Sequence, residues 1–275
     1  MLDEVDVAIT TKNNEDTIEK CIKSIKKYVP YNKIIVLDDS DDKTPQIAED
    51  LGATVYWTPA LLGEKRYLQA KFTETDWIAS IDSDVFVFPE WWEKLSGEIE
   101  PEVGVVNGFL SSNLENVFPA YERYTKFNSL QNFTKTGMRN TMANNLIRRD
   151  LLLALKDDLK DVHAGEDTVI AQKIKGRGYK TRIVTEPTAY HFHQDPLKHH
   201  INAYERFGKS IIKRYGFRGI IKLFSLLVDI NAKWIIYSFN LRCLDFRLYK
   251  FLLRLYYSFL KGGFQELTKF PARNP

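Results

Sequence analysis

The sequence predicts an α/β protein, a mostly parallel sheet flanked by helices, followed by a C-terminal helical region. Three observations predict it. Over the first hundred residues short apolar runs alternate with helix-period segments in the order βαβαβαβ, a pattern that pairs its strands in parallel and lays helices on both faces. Polar residues collect just after successive runs, where ligands sit in open α/β sheets. Charge divides the chain: residues 196–275 hold 15 Lys and Arg against 4 Asp and Glu, a net of +11, and the remainder holds 24 against 32, a net of −8.

The elements follow in order. VDVAIT (5–10) reads as a buried strand, and after the polar NNEDT the residues Ile18, Cys21, Ile22 and Ile25 recur at helical spacing, which places Cys21 in the core. KIIVLDD is the second strand. Thr44 then reads as an N-cap with Pro45 at the first helical position, opening a helix that carries Ile47, Ala48 and Leu51 and closes at Gly52. ATVYW is the third strand, KRYLQAKF a short helix, and WIASI the fourth strand. In KGRGYK, Gly176 and Gly178 follow a helix pattern and mark a turn. Trp91 and Trp92, after Pro89, read as cover for the sheet, with a cleft wall as the other reading. These elements predict one domain over 1–195, with 196–275 as a separate basic helical region.

Composition narrows the function. With 275 residues, 44% hydrophobic and 27% charged, a substantial core is affordable and disorder is not expected. The two cysteines, Cys21 and Cys243, form neither a CxxC nor a Cys/His cluster, which suits a reducing compartment. MLDEVDVAIT is acidic and lacks a long apolar run, so a signal peptide is not expected. No GxxxxGK[ST] loop occurs, so phosphate neutralisation falls to a metal together with Lys65 or Arg66. In the tail, charges at Lys222, Asp229, Lys233, Arg242, Asp245, Arg247, Lys250 and Arg254 interrupt every apolar stretch. None reaches the roughly 18–20 uncharged residues that span a bilayer, so 218–262 reads as lying on a membrane surface, with packing on the body or on a second copy as the alternative.

The residues that carry chemistry sit at strand ends. Thr10, Thr11 and Asn13 follow the first strand, Asp38 and Asp39 the second, Arg66 comes after the third, and Asp82 and Asp84 end the fourth. In an extended chain Asp82 and Asp84 share a face, and two like charges side by side suit a divalent cation such as Mn²⁺ or Mg²⁺, which favours hard carboxylate oxygens. His191 and His193 alternate around Phe192 and make a candidate ligand shell; His199 and His200 read as a solvated helix start. Asp167 opens the helical pattern DTVIAQKIK, either as a cap or as a base.

Taken together, seven segments in order resemble the family 2 glycosyltransferases of GT-A fold: VDVAITTKNNEDTIEKCIKSI, IIVLDDSDDKT, GEKRYLQA, SIDSDVF, NNLIRRDLLLAL, GEDTVIAQKIKGRGYK and PTAYHFHQDPL. The resemblance spans roughly 5–215 and implies a nucleotide-binding half over 1–100 and an acceptor half over 101–195. It implies a GT-A-like, Rossmann-like nucleotide-diphospho-sugar transferase that moves a sugar, with inversion, from a nucleotide-diphosphate sugar to a glycan, lipid-linked or polyprenyl-phosphate acceptor. Carried over by position, it implies base recognition by Asp39 with Thr10 nearby, Arg66 at the diphosphate, and metal at Asp82, Asp84 and His191. Asp167, with Glu166 beside it, matches the catalytic base. Two departures stand out: the acidic turn is one residue shorter than the common Asp-Asp-Gly-Ser-x-Asp form, and Lys12 occupies a position where an aromatic residue is frequent. The expected setting is the cytoplasmic side of a membrane, peripheral, without a nucleic-acid partner. The rival reading is a catalytically weak binding protein whose basic tail grips membrane or nucleic acid, and intact Asp82, Asp84 and Asp167 oppose it.

Overall fold

The computed structural model describes residues 2–121, 123–126, 130, 141–221, 224–225, 228, 232, 235 and 245–269. The chain divides into two compact units: the first comprises Met1–Ser112, Ser129–Val162 and Glu166–Phe192, the second Asn113–Asn128, His163–Gly165 and His193–Pro275.

In the first unit, β1 (Val5–Thr11), α1 (Ile18–Tyr28), β2 (Tyr31–Asp38), α2 (Thr44–Asp50), β3 (Thr54–Trp57), α3 (Leu62–Phe72) and β4 (Trp77–Asp82) follow the predicted alternation. After them come β5 (Val85–Val87), α4 (Trp91–Ser96), β6 (Val103–Ser112), β7 (Asn144–Arg148), α5 (Arg149–Leu153), α6 (Lys156–Leu159), α7 (Glu166–Gly176) and β8 (Lys180–His191). The strands form one eight-stranded sheet in the order β3-β2-β1-β4-β7-β6-β8-β5. The first four are parallel, β7 runs antiparallel to both β4 and β6, and β5 antiparallel to β8, so the sheet is mixed. An antiparallel neighbour needs no crossover helix, which is how β7 enters between strands that are distant in sequence.

Alternation along β1 builds the two core layers. Val5, Val7 and Ile9 face α1, where Ile18, Ile22 and Ile25 are fully buried, and α4 adds Trp91 and Leu95 to the same layer. Ala8 faces the other way, with Ile35, Ile78 and Ile147, against Ala70 of α3, Leu151 and Leu152 of α5, and Ile170 and Ile174 of α7. Trp91 belongs to the core, and Trp92, half-buried, packs against it. Trp91 is fully buried and donates its indole N–H to Asn144 Oδ1 at 2.6 Å, which satisfies the one polar atom that burial would otherwise strand. Cys21 is also buried, as its helical spacing predicts.

The second unit has its own core of Leu114, Phe118, Tyr124, Ile212, Leu248, Phe251, Leu252, Leu255 and Phe259. Its two long helices, α8 (Pro196–Tyr215) and α9 (Phe246–Leu267), both begin at an aspartate: Asp195 accepts from the Lys198 N–H at 3.0 Å, and Asp245 from the N–H groups of Arg247 and Leu248 at 3.1 and 3.0 Å. Where the helices cross, a side chain on Gly208 would meet the Phe259 carbonyl oxygen and one on Gly262 the Glu205 carbonyl oxygen, so both positions require glycine. Glu205 spans the crossing by accepting from Lys209 and Lys261 at 2.9 and 3.0 Å. His199 and His200 are half-buried rather than solvated. His199 stacks on His193 with ring centroids 3.8 Å apart, and Asn113 closes onto the His193 backbone with bonds of 2.5 and 3.0 Å. No described helix is long and apolar enough to cross a membrane. Of the tail charges singled out in the sequence, Lys222, Asp229, Lys233 and Arg242 lie outside the described residues.

Candidate active site

The parallel half of the sheet brings its strand ends level. Thr10 pairs with Leu37 and with Asp82, Thr11 with Asp38, and Asp38 with Trp57, so the residues that follow β1, β2 and β4 gather at one edge. Asn14 ties these loops together. Its side-chain oxygen accepts from Thr11 Oγ1 at 3.3 Å, from the Lys12 N–H at 3.4 Å and from Ser83 Oγ at 3.0 Å, while its own N–H donates to Thr44 Oγ1 at 2.8 Å. Asn13, in the left-handed region at φ 54°, and the β2 loop exchange bonds: Asn13 N–H to Ser40 Oγ at 2.7 Å and Asp41 N–H to Asn13 Oδ1 at 2.9 Å. Sequence reasoning noticed the polar run NNEDT without assigning Asn14 a role. Its only sequence signal was an asparagine directly after a strand end, a common turn residue.

Arg66 lies at the centre of the site. It sits on α3 and is 3% exposed; its Nη1 donates to Thr10 Oγ1 at 2.9 Å, its Nη2 to Asp82 Oδ1 at 3.0 Å, and its Nε reaches Glu166 Oε1 at 3.5 Å. Burial works against the charged guanidinium, but Asp82 and Glu166 overcome it and hold the proton more firmly than usual. The beginning of α3 is set against the segment after α6 by Gly63, whose N–H donates to the Val162 carbonyl at 2.9 Å and whose missing side chain leaves room for the Leu159 carbonyl.

Glu166 and Asp167 open α7. Glu166 is buried; burial foremost, and then the neighbouring Asp167 charge, push its pKa up to about 7 against the pull of Arg66. Asp167 is half-buried and also raised, mainly by burial, and one of its oxygens accepts from the Thr168 N–H at 3.0 Å. Both carboxylates are thus easier to protonate than ordinary ones. Asp167 is the second residue of α7, inside the helix rather than at its N-cap, and its bond to Thr168 is to the next residue's N–H.

Asp82 and Asp84 have different partners. The strand ends at Asp82 and a turn carries Asp84, so the two are not successive same-face residues of one extended run. Asp82 pairs with Arg66 and Thr10, whereas Asp84 Oδ1 lies 3.1 Å from His191 Nε2, at the end of β8. The Asp84 carbonyl also accepts from the Phe192 N–H at 2.9 Å, which fixes that pair through the backbone. Burial pulls the His191 pKa down, but the Asp84 carboxylate more than reverses this. A half-buried carboxylate oxygen and an imidazole nitrogen converging this closely suit a divalent ion with mixed oxygen and nitrogen ligands, as Mn²⁺ accepts.

Asp39 shows a different environment from that of a solvated base-binding carboxylate. Lys12 Nζ bonds its Oδ2 at 2.8 Å, and Lys65 Nζ bonds its Oδ1 while also donating to the Thr11 carbonyl at 3.2 Å. Burial would raise the Asp39 pKa, and the two ammonium groups lower it below the usual carboxylate range. Lys65, offered by the sequence as a phosphate partner, is thus engaged by Asp39.

The chain belongs to glycosyl transferase family 2, whose description matches residues 6–155. Among curated proteins it is similar to an uncharacterized glycosyltransferase of Rickettsia bellii, 37% identical over 117 residues, which is 42% of this chain and 35% of that protein. The chain thus matches about a third of that relative's length. Among solved structures it resembles the mannosyltransferase PcManGT from Pyrobaculum calidifontis in complex with GDP-Man and Mn²⁺ (TM-score 0.57, 15% identity, 96% of this chain and 72% of that one). It also resembles glucosyl-3-phosphoglycerate synthase from Mycobacterium tuberculosis in complex with Mn²⁺, UDP and phosphoglyceric acid (TM-score 0.52, 18% identity, 78% of each chain). At these identities the likeness shows the GT-A fold.

Proposed function

We propose that the protein is a metal-dependent, inverting glycosyltransferase that moves a sugar from a nucleotide-diphosphate sugar to an acceptor hydroxyl on a glycan or lipid-linked molecule. The observation that carries this reading is the meeting of three sets of groups at one sheet edge: Asp84 with His191, Arg66 with Asp82, and the raised Glu166–Asp167 pair. Asp84 and His191, with Asp82 alongside, would hold the ion; the two solved structures of this fold described above are complexes with Mn²⁺. When bound, a divalent ion supplies positive charge against the diphosphate leaving group. Arg66 adds a fixed cation that needs no reorganisation, since Thr10 and Asp82 already orient its guanidinium. Asp167, partly exposed and raised in pKa, takes the proton from the acceptor hydroxyl as the new bond forms. An acceptor that is already ionised, such as a polyprenyl phosphate, would not need this base. The test is a panel of sugar nucleotides incubated with Mn²⁺ and assayed for nucleoside diphosphate release; absence of release from every donor, with and without glycan and lipid acceptors, would contradict the reading.

The second unit supports a peripheral position on the cytoplasmic side of a membrane. Its large exposed apolar side chains include Phe217, Ile221, Phe224, Val228, Phe246 and Phe264, on a region that carries a net charge of +11. Apolar side chains interleaved with cations match an anionic bilayer surface, where insertion and headgroup attraction add.

A further inference from the structure

Glu166 and Asp167 are preceded in the chain by His163, Ala164 and Gly165, three residues that belong to the second unit. Each of them meets α8. Ser210 Oγ donates to the Ala164 carbonyl at 2.6 Å, Lys213 Nζ lies 3.1 Å from His163 Nε2, and the Phe207 ring packs so near Gly165 that a side chain there would come within 2.9 Å of it. Phe207, Ser210 and Lys213 recur every third residue, so they follow one another along one side of the helix. A serine inside a helix commonly returns its hydroxyl to the carbonyl four residues earlier, as Ser258 of α9 does with Arg254 at 3.0 Å. The buried Ser210 reaches out of its helix instead. At Gly165 the backbone is left-handed, φ 76°, a conformation that costs glycine little and a residue with a side chain more. Just before this segment, the Val162 carbonyl accepts from the Gly63 N–H.

We propose that Ser210, with Phe207 and Lys213, is a positioning residue for the Asp167 carboxylate: α8 grips the chain directly before α7 and so fixes where that helix starts. The proposal rests on the transferase reading above, in which Asp167 takes the acceptor's proton. An α-helix holds its interior by its own hydrogen bonds, whereas its first four N–H groups have no partner within it. The two carboxylates occupy the first and second positions of α7, so their place depends on what holds the residues before them. That place matters for rate. A base acts only within hydrogen-bond reach of the hydroxyl it deprotonates, and a displacement of about 1 Å can cost about a hundredfold. Ser210 touches neither carboxylate in this account; it acts through the Ala164 carbonyl, two residues before Glu166.

Steady-state kinetics of the full chain with Mn²⁺ and a sugar nucleotide that the native chain turns over test this, with calorimetric titration of the matching nucleoside diphosphate alongside. Ser210→Ala should lower kcat about tenfold or more, while the donor KM and the nucleoside diphosphate affinity stay at their native values. The acid limb of its pH profile should move to lower pH, because burial is the first cause of the raised carboxylate pKa and a loosened start of α7 admits water. Ser210→Thr, which keeps the hydroxyl, should restore most of the rate. Lys213→Met, at an exposed side chain, should lower kcat in the same direction, and it carries the same expectation and the same refutation where Ser210→Ala does not fold. Native kcat in Ser210→Ala, an equal fall in Ser210→Ala and Ser210→Thr, or a loss that falls on donor affinity with kcat kept overturns the positioning role and leaves the transferase reading standing. Absence of turnover in the native chain with every donor overturns both.

Discussion

Arg66 is the residue on which the site's electrostatics turn. It is buried and bridges Asp82 and Glu166, so removing it leaves one carboxylate in the interior and another beside it without their counter-charge. Arg66→Met is expected to destabilise the first unit by about 3 kcal/mol, because breaking a buried pair strands the remaining charge. Urea unfolding would measure it, and the double variant with Glu166→Gln should recover part of the loss, since only one of the two partners then stays charged. Glu166 gives a pH signature of its own. The unfolded chain releases this proton near 4.5 and the folded chain near 7, so between those values the folded state holds more protons and its stability falls as pH rises. Melting temperatures measured across that window should decline with pH in the native chain and decline less in Glu166→Gln; an identical slope in both would place the titration elsewhere. The identities of Asp39, Arg66, Asp82, Asp84, Glu166, Asp167 and His191 were all legible in the sequence from strand ends and the family likeness. Their pairings were not, because Arg66 to Glu166 and Asp84 to His191 are contacts between residues a hundred or more positions apart, which no local pattern encodes.

The elements show the same division. The βαβαβαβ half was readable because β1, β2 and β4 are apolar on both faces and α1 has one apolar side, whereas β3 is largely exposed and α3 buries Lys65, Arg66 and Gln69, so these two were placed by their order in the alternation. The antiparallel insertion of β7 was not, since its run NNLIR is short and carries two buried asparagines, of which Asn144 finds its partners, Trp91 and Thr188, in other parts of the chain. The crossing of α8 and α9 was equally hidden: Gly208 and Gly262 weaken a helix taken alone, and only packing explains them. Gly208→Ala should force the helices apart at the Phe259 carbonyl and cost about 1–3 kcal/mol, as overpacking does in well-filled interiors. Thermal unfolding would record a lower transition for the second unit, whereas a gain, as expected of alanine in an isolated helix, would mean that the crossing is looser than its geometry implies.

For the molecule as a whole, charge segregation is the feature with the widest consequence. An acidic catalytic region and a basic, aromatic C-terminal region are parts of one chain, and the latter exposes Phe217 and Ile221 to solvent. Co-sedimentation with vesicles should show pelleting that requires anionic lipid and weakens at high salt, because headgroup attraction is screened over about a Debye length. Binding to neutral vesicles equally well would favour a purely apolar contact, and no pelleting with either would favour a second copy of the chain as the cover of that face. Neither outcome bears on the chemistry of the first unit, whose central claim is metal-dependent sugar transfer. The most direct measurement of that claim is Mn²⁺-dependent release of nucleoside diphosphate from a sugar-nucleotide panel, compared between the native chain and Asp84→Asn, with and without chelator. Turnover in the native chain that chelation abolishes is expected, with a loss of about 3 kcal/mol in transition-state stabilisation in the variant, roughly a hundredfold in rate, and the fold intact. Turnover unaffected by chelator, or a variant that keeps native rate and metal affinity, would contradict it.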